Sequence, residues 1–105
     1  MDIWAEVRKR EGQTLRTLDR RKPFSVVSVG EAALVVRPMS TGKERAIPRK
    51  HVEAAMRQLQ AAGELDAWEI DMDYAPRNAI YVAAIFATLP GVEYSLRPIY
   101  LWTTE

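Results

Sequence analysis

The apolar pattern of this chain changes period in blocks, not in alternation, and that arrangement restricts the fold more than any single motif. Between Thr14 and Ile47, short runs rich in β-branched and aromatic residues are separated by turn residues. From Pro48 to Leu89 the apolar residues recur at helical spacing, and the last segment returns to loose alternation. Segregated strand and helix patterns predict an α+β domain with an antiparallel sheet and argue against a parallel sheet built from strand–helix–strand crossovers.

Asp2 fits the cap of a short first helix carrying Ile3, Trp4 and Val7, with Gly12 as its stop. Thr14–Leu18 reads as a strand and Asp19-Arg20-Arg21-Lys22-Pro23 as a charged turn. In the next strand, Phe24–Val29, Phe24, Val26 and Ser28 are expected on one face, Val27 and Val29 on the other. Gly30-Glu31 turns the chain into Leu34–Arg37, and Ser40-Thr41-Gly42-Lys43 turns it again into Glu44–Ile47. This is a small, strongly curved antiparallel β-meander of the SH3-like half-barrel kind, expected to pack against two to three helices.

Pro48 suits the first position of a helix, where its missing donor costs nothing. Val52, Ala55, Met56, Leu59 and Ala62 form one stripe of that helix, with Gly63 at its end. Asp66 and Glu69 have capping-box spacing and predict a short helical turn at 65–70. Residues 71–77 read as irregular. Asn78–Leu89 is apolar nearly all round and is expected to be the central buried helix, stopped by Pro90-Gly91. Val92–Trp102, interrupted by Pro98, is expected as a C-terminal edge strand.

Composition bounds the rest. A chain of 105 residues with 48% hydrophobic and 28% charged side chains is expected to form one domain, 1–105, with a core of its own. The absence of cysteine excludes disulfide frameworks, zinc–thiolate sites and a cysteine nucleophile. No apolar run approaches ~18 residues, so no membrane span is expected. The first residues lack the layout of a signal peptide, and a cytoplasmic location is the expectation.

The net charge of +1 conceals a strong asymmetry: residues 1–50 hold twelve basic and six acidic side chains, residues 51–105 three and eight. In the basic half, Arg20, Arg21 and Lys22 occupy one turn, while Lys43, Arg45, Arg49 and Lys50 surround the last strand and the start of the helix after it. If the meander curls, these form a rim able to neutralise phosphates, with Ser40, Thr41 and the Gly42 backbone as further phosphate contacts. Arg8, Lys9 and Arg10, at the end of the first helix, add to the basic half. The expected partner is DNA or another polyanion; Arg45 and Arg49, held at strand and helix ends, are the leading contacts. Basic turns are also what an ordinary solvated surface carries. A second expectation is a protein–protein adaptor or homodimer in which the basic half of one copy meets the acidic half of another.

Other chemistry finds less support. Glu69, Asp71 and Asp73 alternate, and an extended backbone would place their carboxylates on one face as a candidate Mg²⁺ or Ca²⁺ site. The spacing does not match a calcium loop, since Ala75 and Pro76 stand where a ligand and a glycine are needed. His51, the only histidine, lacks a recognisable partner for acid–base work. No phosphate-loop glycine motif occurs. A helix-turn-helix reading of 48–89 fails because its second helix is too apolar to face bases. Core packing accounts for the tryptophans better than base stacking does. The chain is therefore expected to be non-enzymatic and to need no cofactor.

Overall fold

The computed structural model describes residues 2–104. In chain order its elements are α1 (Ile3–Arg8), β1 (Thr14–Arg16), β2 (Pro23–Val29), β3 (Ala33–Pro38), β4 (Arg45–Pro48), α2 (Arg49–Ala62), β5 (Glu64–Asp66) and α3 (Ala67–Glu69). A π-helical turn (Ile70–Tyr74), α4 (Ala79–Phe86), β6 (Val92–Ser95) and β7 (Tyr100–Thr103) complete it. The architecture is α+β. Strands β1–β4 form an open antiparallel meander in sequence order, and β5, β7 and β6 form a second, smaller antiparallel sheet.

The meander follows the sequence pattern with one correction. A register shift between Val26 and Ser28 leaves Val27 as a bulge. The extra residue inverts the alternation, so Val29 is buried with Phe24 and Val26 instead of facing away from them. Leu34 and Val36 of β3 and Ile47 of β4 complete the inner face. Trp4 of α1 is buried, and its indole N–H donates to the Gly30 carbonyl at 2.8 Å.

Pro48 differs from the expectation too. It ends β4 in extended conformation and serves as the N-cap of α2, because it still pairs with Ala33 of β3. Val52, Ala55, Met56 and Leu59 form the buried stripe of α2. Gly63 closes the helix at φ +79°, a conformation that costs an L side chain ~1–2 kcal/mol, and its N–H donates to the Leu59 carbonyl.

The C-terminal third departs furthest from the sequence reading. Glu64–Asp66 is a strand, and the Asp66 carboxylate then caps α3 by accepting from the Glu69 N–H at 2.8 Å. The segment 92–102 is not one continuous strand but the hairpin β6–β7, with β6 at the edge of the second sheet and β7 at its centre. Pro98 lies in the loop between them, after a cis Arg97–Pro98 peptide. α4 is shorter than expected, but Tyr81–Phe86 are all buried. It packs against β1 of the first sheet and against α3 and the π-helical turn, so a single contiguous core serves both sheets. No described helix is long and apolar enough to cross a membrane.

Candidate nucleic-acid interface

The β1–β2 turn is built around Thr17, the one buried polar side chain among the described residues. Thr17 N–H donates to the Lys22 carbonyl at 3.0 Å, and the Thr17 hydroxyl oxygen accepts from the Lys22 N–H at 3.0 Å. Arg21 N–H donates back to the Thr17 carbonyl, which requires Arg21 to adopt φ +56°. The Arg16 guanidinium clamps the same turn through the Arg21 carbonyl at 2.9 Å. A turn tied at this many points fixes the backbone at Arg20 and Lys22, whose side chains are exposed.

These two cations face a groove of about 430 Å³. Its opposite rim comes from the β3–β4 turn, through Ser40 and Thr41, and from Arg45 at the start of β4. Its apolar surface is supplied by Pro23, Pro38, Ile80 and Tyr81, and Asp19 is its one carboxylate. Arg45 is oriented by three contacts. Its Nη1 donates to the Arg77 carbonyl at 2.9 Å and to Asn78 Oδ1 at 3.3 Å, and its guanidinium lies over the Tyr81 ring, 5.7 Å from the centroid. Asn78 thus stands at the N-cap of α4 without capping it by its side chain. Tyr81 is fixed from behind by an edge-to-face contact with Phe24, centroids 5.1 Å apart.

The groove unites Arg20, Lys22 and Arg45 with Ser40 and Thr41. It does not include the remaining sequence-expected residues. Arg21, from the same turn, lines a neighbouring cavity with Arg16 and Tyr94. Lys43 is exposed in the turn before β4, its N–H donating to the Thr41 hydroxyl at 3.2 Å. Arg49 is occupied within the fold: it lies over Trp4 at 5.2 Å, donates to the Glu31 carbonyl and pairs with Glu53 at 3.3 Å. Lys50 is exposed on the first turn of α2, next to the half-buried His51. Arg10 is also engaged, donating to the Thr88 hydroxyl and carbonyl at 2.8 Å.

Sequence reasoning missed Thr17 and the apolar surface of the groove. Thr17 carried a faint signal, a lone polar residue beside a charged turn. Ile80 and Tyr81 carried none, because apolar residues of a buried helix look alike from sequence whether they face the core or an opening.

The acidic half is arranged differently. Residues 67–74 wind as helical turns, so Glu69, Asp71 and Asp73 do not align as an extended strand would align them, and Asp71 accepts from the Arg77 N–H at 2.9 Å. Among the described residues no group of three acidic or histidine side chains is placed to hold a metal ion. The outward face of the second sheet gathers other carboxylates. Trp102 pairs with Glu64 on one side and Glu93 on the other, and Tyr100 pairs likewise with Asp66 and Ser95. Leu65 and Leu101 point to the core, leaving these six on the opposite face. Tyr100 and Trp102 are stacked at a tilt, centroids 5.9 Å apart. Hydrogen bonding to the Glu64 carboxylate raises the Tyr100 phenol above its ordinary value of 10.0, and desolvation and the charges of Glu64, Asp66 and Glu69 act in the same direction.

Comparison with known proteins finds no matching family model, no matching curated protein and no matching solved structure.

Proposed function

We propose that this protein is a small, non-enzymatic nucleic-acid-binding module, DNA being the foremost ligand, acting in the cytoplasm. Its contact surface is the groove between the two turns of the meander. The observation that carries this reading is the meeting of Arg20 and Lys22 from one turn with Ser40, Thr41 and Arg45 from the next. Among the described residues Arg20 and Lys22 have no ion-pair partner, so their charge is available to a polyanion. Release of condensed counterions from each neutralised phosphate drives such binding. Hydroxyls at a turn are common phosphate donors. The groove offers one carboxylate and no histidine, which supports a binding role over acid–base catalysis.

The test is fluorescence anisotropy with a labelled duplex and a labelled single strand at low and moderate salt. The Arg20→Ala/Lys22→Ala variant is expected to lose most of the low-salt affinity. Absence of binding by the wild-type protein at low salt, or unchanged binding by the variant, contradicts the reading.

A second reading, a protein–protein adaptor or homodimer, is favoured by the outward face of the second sheet. Aromatic side chains bordered by carboxylates are complementary to a basic surface, and the groove of a second copy offers one. Light scattering across salt concentrations separates the two readings: an oligomer that dissociates as salt rises supports self-association, and a monomer throughout removes it.

A further inference from the structure

We infer that the groove accepts an unpaired nucleotide, its phosphate held at the cationic rim and its base laid on the apolar surface beneath. The inference rests on the nucleic-acid reading above and narrows it from polyanions in general to single-stranded or unstacked substrate.

The two kinds of surface in the groove are separated in a way that matches the two parts of a nucleotide. Arg20, Lys22, Ser40 and Thr41 come from the turns and supply charge and hydroxyl donors. The apolar lining comes from Pro23, Pro38, Ile80 and Tyr81; Ile80, 41% exposed although it belongs to an otherwise buried helix, presents most of it, with half-buried Pro23 beside it and Pro38 and Tyr81 buried behind. A duplex turns its phosphates outward and keeps the faces of its bases stacked on one another, so it has no base face to lay on that apolar surface. Recognition of single strands instead combines a cationic track for the backbone with flat side chains on which bases rest. The volume, about 430 Å³, lies in the range of pockets that enclose small ligands, ~300–1,000 Å³, and is ample for one nucleotide.

Arg45 supplies the flat partner. Its guanidinium is already oriented by the Arg77 carbonyl, Asn78 Oδ1 and the Tyr81 ring, which reduces the rotamer freedom lost when a base arrives. A guanidinium plane held in this way is a stacking surface for an unpaired base, and its remaining N–H groups can donate to a base edge. The packing of Tyr81 against Phe24 keeps that platform from tilting.

The experiment compares three probes on the wild-type protein and on Ile80→Ser: a short oligothymidylate, the abasic strand of the same length, and a duplex of the same length. Ile80 is exposed and makes no hydrogen bond through its side chain, so the substitution preserves the fold and the charges; circular dichroism checks this. The oligothymidylate is expected to bind about tenfold or more tighter than the abasic strand, which carries the same phosphates but nothing to stack. It is expected to exceed the duplex as well, and Ile80→Ser should shrink both ratios toward one through loss of oligothymidylate affinity. Equal binding of oligothymidylate and abasic strand, or ratios that Ile80→Ser does not change, overturns the inference and leaves phosphate binding at the groove standing. Failure of all three probes to bind at low salt overturns both.

Discussion

The groove of the first sheet and the outward face of the second are opposite solutions to exposing charge. In the groove the cations sit on turns, at the ends of strands, and frame a depression with an apolar base. On the second sheet the carboxylates sit on the strands themselves, beside two aromatic rings. On the proposed readings, the first geometry would surround a ligand and the second would meet a flat partner. The difference follows from local chemistry. A turn tied by Thr17 and by the left-handed Arg21 can hold Arg20 and Lys22 clear of the sheet. A three-stranded sheet with Leu65 and Leu101 facing inward has no choice but to place the alternate residues Glu64, Asp66, Tyr100 and Trp102 side by side.

The largest expected effect tests whether the two regions are one folding unit. Phe86 is fully buried on α4, the helix that joins the core of the meander to the elements flanking the second sheet. Phe86→Ala should cost about 3–5 kcal/mol in denaturant unfolding and bring both regions down in one transition. Separate transitions would mean that the regions are independent, and the comparison would then be between two units.

The next effect concerns the turn alone. Thr17→Val removes the acceptor for the Lys22 N–H at a buried site. A loss of about 1 kcal/mol in stability is expected, with weaker nucleic-acid binding and no change in self-association. Unaltered binding would show that the turn need not be rigid.

Asp19 is the exception within the groove, a carboxylate among cations. Asp19→Asn should tighten nucleic-acid binding roughly two- to fivefold, the scale of an exposed charge interaction. The smallest effect belongs to the second sheet. Tyr100 should titrate above its ordinary value of 10.0, and Glu64→Gln should bring it back toward that value in a spectrophotometric titration. Because the folded chain holds this proton more tightly than the unfolded one, the associated stability is intact below pH 10 and is lost as the pH rises through the raised value.

Local pattern made the first region legible and left the second obscure. The meander strands are adjacent in sequence, joined by recognisable turns, and the α2 stripe spans several helical turns, so short-range periodicity reports them. β5 has only three residues before a genuine capping signal, and its partner β7 lies far along the chain. No local period encodes such a pairing. The bulge at Val27 was equally silent, since one extra residue leaves composition unchanged while inverting every later side chain in the strand. For the groove, the charged turns announced Arg20 and Lys22, and Arg45 followed from its place at a strand start. The involvement of Arg49 with Trp4 and Glu31 was not readable, because both partners are remote until the fold brings them together; its pairing with Glu53, four residues on along α2, is the local exception.

The most direct test of the account is the salt dependence of oligothymidylate binding by the wild-type protein and by Arg20→Ala/Lys22→Ala. The account predicts that the logarithm of affinity falls linearly with the logarithm of salt concentration, and that the variant's slope is shallower by about 0.7 for each lost phosphate contact. A wild-type slope near zero, or a variant slope equal to it, would contradict a groove that binds through Arg20 and Lys22.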